Sequence, residues 1–136
     1  MPEGVGYGSQ SIFAGSSKSF SFIDNRIYAY TGSVTVDENE TVLFESKVGK
    51  GYVVAKWQPV YFQTSTTDDA TFIVKFNGIE IFLCTVTGST TDTPFQEIDL
   101  VIPPLTLVTL TGYNRTDTSD IKVGGIITGK IYGSNK

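Results

Sequence analysis

The sequence predicts an all-β fold in which two antiparallel sheets pack face to face as a sandwich. Short runs rich in Val, Ile, Thr, Phe and Tyr alternate apolar with polar residues, and Gly, Asp, Asn or Pro interrupts them every 8–12 residues or so, roughly the spacing of short strands. No segment has the pattern of an amphipathic helix. The 136 residues are enough to bury one hydrophobic core, and the single Cys84 cannot form an internal disulfide.

The first 26 residues differ in composition from the rest of the chain. Gly and Ser alternate there with aromatic and apolar residues, which predicts an extended N-terminal arm over 1–26 and a sandwich domain over 27–136. Because a solvated linker does not need so many aromatic residues, we expect the arm to dock on a partner. The alternatives are that it packs on its own domain or is disordered. The residues expected to make the partner contacts are Tyr7, Ile12, Phe13, Phe20 and Phe22.

Eight strands are predicted within the sandwich domain. Eight strands in a domain of this size fit a jelly roll or an immunoglobulin-like arrangement. One cysteine cannot form the inter-sheet disulfide of an immunoglobulin domain, so the jelly roll is favoured. The predicted strands are 27–36, 41–47, 52–64, 71–76, 79–87, 95–102, 105–113 and 121–132.

The clearest local feature is a hairpin centred on Asn77-Gly78. Both residue types accept the positive φ angles of a two-residue type I′ turn. That turn sets a register with six apolar side chains on one face. The expected pairs on this face are Phe76 with Ile79, Val74 with Ile81 and Phe72 with Leu83, and those on the other face are Lys75 with Glu80 and Ile73 with Phe82.

Proline and glycine mark two irregular strands. Pro59 has no N–H to donate to a sheet, so the run over 52–64 is an edge strand, contains a bulge, or consists of two strands meeting at a corner. Gly124-Gly125 would allow a similar kink in the last strand.

The residue types present argue against an enzyme. Without histidine the chain cannot form a Ser-His-Asp or Cys-His pair, or a zinc site with histidine ligands. Asp68, Asp69, Asp92, Asp117 and Asp120 lie in Thr-rich loops, where we expect them to be exposed, whereas a catalytic acid needs burial to raise its pKa. The acidic run over 37–40 offers oxygen ligands for calcium, but a solvated turn explains it more simply. We therefore predict no catalytic residue, no metal site and no cofactor.

Charge and hydropathy bear on partners and location. Ten Lys plus Arg against fourteen Asp plus Glu give a net charge of −4, which argues against a DNA or RNA partner. No apolar run approaches the ~20 residues of a membrane span, and the N-terminus lacks the pattern of a secretory signal. The expectation is a protein made in the cytoplasm with no membrane partner.

Aromatic residues suggest one binding site. A platform that stacks on a sugar ring could be formed by Trp57, Tyr52 and Tyr61. The chain has further tyrosines that could contribute to it. Aromatic residues in strands more often pack in the core, and Trp57 shares its face with Val53 and Ala55. The core interpretation is favoured, with the glycan platform as the alternative.

Two segments near the C-terminus carry a resemblance. In 102–114 the turn Pro103-Pro104 precedes a strand, and 126–133 is a closing strand that contains Gly129 and Tyr132 in the pattern G-x-x-Y. These segments resemble those of small jelly-roll virion proteins that decorate or cement tailed-phage capsids, or form minor capsid parts.

The resemblance implies a non-enzymatic structural protein of the virion. Such a protein is made in the host cytoplasm, forms a homotrimer and attaches to the major capsid protein at the capsid surface. The alternative function is a carbohydrate-binding or receptor-binding β-sandwich module.

Overall fold

The computed structural model describes residues 19–62, 68–86, 97–116 and 118–133. The described residues form ten β-strands and no helix, which confirms the predicted all-β class. The strands are β1 (Ser21–Ile23), β2 (Arg26–Tyr30), β3 (Val34–Val36), β4 (Thr41–Lys47), β5 (Tyr52–Tyr61), β6 (Ala70–Phe76), β7 (Ile79–Val86), β8 (Ile98–Ile102), β9 (Leu107–Asn114) and β10 (Ile121–Tyr132).

The strands pair as a series of nested antiparallel ladders. The β6–β7 hairpin is innermost, β5 pairs with β8 outside it, β4 with β9 outside that, and β2 and β3 pair with β10 at the ends of the domain. This long hairpin is rolled into two sheets, with the orders β1-β2-β10-β5-β8 and β4-β9-β6-β7; β3 also pairs with β10 in the first sheet. Nested pairs divided between two sheets form a jelly roll, so the favoured topology is confirmed.

The sequence predicts one strand over 27–36, but two hydrogen bonds between Thr31 and Gly125 separate β2 from β3 there. The Thr31 N–H donates to the Gly125 carbonyl at 3.1 Å, and the Gly125 N–H donates to Thr31 Oγ1 at 2.9 Å. Gly32 follows with φ 70. No bulge forms at Gly124-Gly125, because β10 pairs with β5 in one unbroken register from Val123 to Tyr132. These glycines instead leave room for the Gly32 carbonyl and the Trp57 ring.

The predicted hairpin is correct at its turn and wrong beyond it. Asn77 and Gly78 have φ 52 and φ 82, as a type I′ turn requires. The pairs Phe76 with Ile79 and Lys75 with Glu80 form as predicted, but a bulge follows at once. Because two β7 residues oppose one β6 residue there, every later pair moves by one position. The later pairs are Val74 with Phe82, Ile73 with Leu83 and Phe72 with Cys84.

Among the described residues, Pro59 lies where β5 has a neighbouring strand on one side only. It is opposite Gly125 of β10, whereas β8 pairs with β5 only from Val53 to Trp57. Within the part of the chain that the structure describes, this position agrees with the edge-strand interpretation, whereas the N-terminal half of β5 is an interior strand.

The core lies between the two sheets and includes part of the predicted arm. Phe20 is only 1% exposed, its ring lies 6.4 Å from that of Phe44, and Phe44 lies 5.6 Å from Trp57. The chain then forms β1, which pairs with β2 at the edge of the larger sheet. Residues 19–26, expected in the arm, are thus part of the sandwich, because burying Phe20 and pairing β1 hold them there.

Candidate functional site

The predicted arm contacts divide into three groups. Tyr7, Ile12 and Phe13 lie outside the described residues. Phe20 is a core residue and is not available to a partner. Phe22 is partly buried and packs against the core from β1.

The predicted glycan platform does not form. Trp57 is completely buried, and its indole N–H has no hydrogen-bond partner among the described residues. The Tyr61 hydroxyl donates to the Asp68 carbonyl at 3.0 Å, and burial, with the nearby charges of Asp68 and Asp69, raises the pKa of Tyr61. Only Tyr52 is exposed. Tyr52 and Trp57 are five residues apart in one strand and so lie on opposite faces, a spacing visible in the sequence.

Four of the seven tyrosines lie in two pairs on the outer face of the larger sheet. A groove of about 900 Å³ runs over this face between β1 and β8. We call it the tyrosine groove, and its walls and floor include Arg26, Tyr28, Tyr30, Val54, Lys130 and Tyr132. Tyr52 lies beside Tyr132 with the two rings stacked, 5.5 Å between centroids and 17° between planes. Tyr28 and Tyr30 form a second pair at 5.8 Å.

The strand register orders the side chains of the groove into rows across the sheet. One row is Ser21, Tyr28, Thr128, Lys56 and Asp99, and the next is Ile23, Arg26, Lys130, Val54 and Val101. Lys56 binds Asp99 at 3.1 Å and Glu97 at 3.6 Å. The hydrogen bond to Asp99 and the two carboxylate charges raise the pKa of Lys56. The second row contains two cations and no carboxylate.

A second exposed surface follows β7, an edge strand of the smaller sheet. Four of its large apolar side chains are at least 39% exposed: Ile79, Ile81, Phe82 and Leu83. No other described strand pairs with its outer edge, which presents backbone N–H and C=O groups, and Glu80 is the only charged residue of β7. We call this surface the β7 edge.

The acidic turn over 37–40 serves a structural purpose. The Asn39 N–H donates to Asp37 Oδ1 at 2.8 Å, and Glu40 forms an ion pair with Lys75 at 2.8 Å and accepts from Thr111 at 2.6 Å. Burial raises the pKa of Glu40, but the hydrogen bonds from Lys75 and Thr111 outweigh it and hold this pKa below its ordinary value. The described part of the chain has no cluster of three metal-ligating side chains. It also has no helix long and apolar enough to cross a membrane.

Comparison with known proteins identifies similar folds only. No protein-family model and no curated protein sequence matches the chain. Among solved structures, the infectious bursal disease virus VP2 subviral particle matches with TM-score 0.50 and 15% identity, covering 81% of this chain and 33% of that one. The structure of the Gt strain of infectious bursal disease virus matches with TM-score 0.54 and 12% identity, covering 82% and 34%. This chain spans about a third of the length of those chains and shares a jelly-roll fold with that part of them.

Proposed function

We propose that this chain is a non-enzymatic structural subunit of a virion. It decorates or cements a phage capsid through contacts with its own copies, as a homotrimer, and with the major capsid protein. The observation that supports this most is the β7 edge, and the similarity in fold to a particle-forming viral protein agrees with it.

The β7 edge has the physical character of an interface between protein chains. Proteins that remain monomeric protect edge strands with charges, prolines or short length. Here an eight-residue edge strand leaves Leu83 46% exposed and has no charge between Ile81 and Val86. Covering these side chains removes apolar surface from water, and the free edge can pair with a strand of another chain.

The N-terminal arm would add further contacts with neighbouring subunits. The first described residues, Ser19 and Phe20, lead directly into β1 at the edge of the larger sheet. Tyr7, Ile12 and Phe13 would supply aromatic and apolar anchors for grooves of neighbouring subunits.

Light scattering on the purified protein tests the self-association. The homotrimer has a mass near three times 14.8 kDa. Leu83→Lys puts a charge on the β7 edge and should shift the mass towards the monomer. Val101→Lys is the matched control, because Val101 is an exposed apolar residue on an edge strand of the other sheet. A mass that neither variant changes would exclude the β7 edge as the self-association surface.

Cosedimentation with shells of the same virus's major capsid protein tests the attachment. The full chain should sediment with the shells, and a variant lacking residues 1–18 should remain folded and stay in solution. The truncation ends at Lys18 because Phe20 is part of the core. If the full chain does not sediment with the shells, the proposed capsid attachment is wrong.

A further inference from the structure

The tyrosine groove contains an unfavourable arrangement of charge. Arg26 and Lys130 lie directly opposite each other on neighbouring strands, and like charges in that position repel. Neither forms an ion pair with a carboxylate of the described residues, whereas Lys56, one row away, has two. The repulsion occurs in a chain of net charge −4, where carboxylates outnumber cations. An anion bound between the two side chains would relieve it.

Aromatic rings adjoin this pair of cations. The Lys130 ammonium lies 5.5 Å from the centre of the Tyr132 ring, which stacks on Tyr52. Tyr28 is the next residue after Arg26 on this face of β2, and Tyr30 packs beside Tyr28. Tyrosine offers a flat apolar ring and a polar hydroxyl, the combination that suits a ligand with both C–H faces and hydroxyl groups. A sugar has both.

The position of the groove argues against a peptide strand as its ligand. Its floor is β10, which pairs with β2 on one side and with β5 on the other, so a peptide lying along the floor finds no unpaired backbone groups of β10 to pair with. Its volume of about 900 Å³ is that of a site for a small molecule or short oligosaccharide.

We propose that the tyrosine groove binds an acidic saccharide through a sugar carboxylate. The carboxylate lies between Arg26 and Lys130, where the planar guanidinium can donate two parallel hydrogen bonds to it. The sugar ring packs on Tyr132. Thr128, on the groove floor, is paired with Tyr28, and both side chains carry a hydroxyl that can contact the sugar hydroxyls. This site differs from the β7 edge and does not depend on capsid attachment.

Titration calorimetry on the full chain tests the proposal with sialyllactose, which bears a carboxylate, and with lactose, which is its neutral counterpart. Sialyllactose should bind at least about tenfold more tightly than lactose, since one charge-assisted contact contributes about that much. Sulfated lactose distinguishes the carboxylate from any anion. It should bind more weakly than sialyllactose, and equal or tighter binding would overturn the assignment of a carboxylate.

Variants locate the site. Arg26→Ala and Lys130→Ala should each weaken sialyllactose binding at least about tenfold, while Lys130→Arg keeps the charge and should retain most of it. Lys122→Ala is the matched control, because Lys122 is an exposed lysine on the same face of the same strand, bound to Thr35 rather than in the groove. Tyr132→Ala should weaken sialyllactose and lactose alike. Unchanged circular dichroism would show that the variants are folded.

Three results would overturn the proposal. One is that neither saccharide binds the folded wild-type protein. Another is that Lys122→Ala weakens binding as much as Lys130→Ala, which would indicate a general charge effect. The third is that an acidic peptide displaces sialyllactose from the groove at equal concentration, which would favour a protein partner. Wild-type oligomeric mass and attachment to shells are measured separately, so a failure here leaves the proposed capsid function standing.

Discussion

Replacing Trp57 with alanine should lower the free energy of unfolding by about 3–5 kcal/mol, the range for removing a buried aromatic side chain. Trp57 is completely buried, packs against Phe44 and fills the space above Gly125. The other sheet cannot close the resulting cavity without moving Phe44. Urea unfolding followed by far-UV circular dichroism measures the loss. With a slope of about 1–3 kcal/mol per molar urea, the midpoint should fall by at least about 1 M.

Trp57→Phe provides the control within the same site. It also removes the indole N–H, which lacks a partner among the described residues, and so recovers part of a desolvation cost of about 1–3 kcal/mol. The Trp57→Phe variant should therefore have a free energy of unfolding at least about 1 kcal/mol higher than that of Trp57→Ala. A loss below about 1 kcal/mol in Trp57→Ala, well under the usual range for such truncations, would refute the assignment of Trp57 to the core.

Three further predictions concern glycine packing, pH and the hairpin turn. Gly125→Ala should cost about 1–3 kcal/mol or more, because the added Cβ meets the Trp57 ring, whereas Gly112→Ala meets only side chains at 3.4 Å and should cost less in the same unfolding assay. The lowered pKa of Glu40 stabilises the fold above the ordinary value of 4.5, and this contribution disappears as pH falls through the folded value. Glu40→Gln should therefore be less stable than wild type at pH 7 and equal to it in acid. Gly78 has φ +82, a conformation that a Cβ disfavours, so Gly78→Ala should lower the free energy of unfolding by about 1 kcal/mol. A fall in the melting temperature measures this loss.

The local sequence pattern correctly predicted the bounds or the buried face of the strands with the clearest alternation. The predicted bounds of β4 and β10 agree with the structure, and the Asn77-Gly78 turn forms as expected. In β8, Leu100 and Ile102 are buried and Asp99 is exposed, as the alternation indicates. Each of these properties depends on residues close together in the chain.

The prediction failed at a bulge in the hairpin and at one contact between residues far apart in sequence. The bulge in the β6–β7 hairpin shifts Ile81 out of the pairing expected from the turn, and the alternation of β7 contains no sign of it. Phe20 lies in a Gly/Ser-rich segment typical of an arm, but its contact with Phe44, 24 positions away in sequence, holds it in the core. The turn and composition do not encode either contact.

The candidate surfaces also combine local properties, which a short segment specifies, with contacts between distant residues, which it does not. The alternation along each strand, the positions of the turns and the presence of two sheets with an apolar interior all follow from residues close together in the chain. Which strands become neighbours, and so which outward side chains meet, depends on the folded domain. Arg26 and Lys130 are more than 100 residues apart in the chain and become opposite partners only because the outermost ladder of the jelly roll pairs β2 with β10. Strand order depends on how the whole chain buries its apolar faces, and no short segment specifies it.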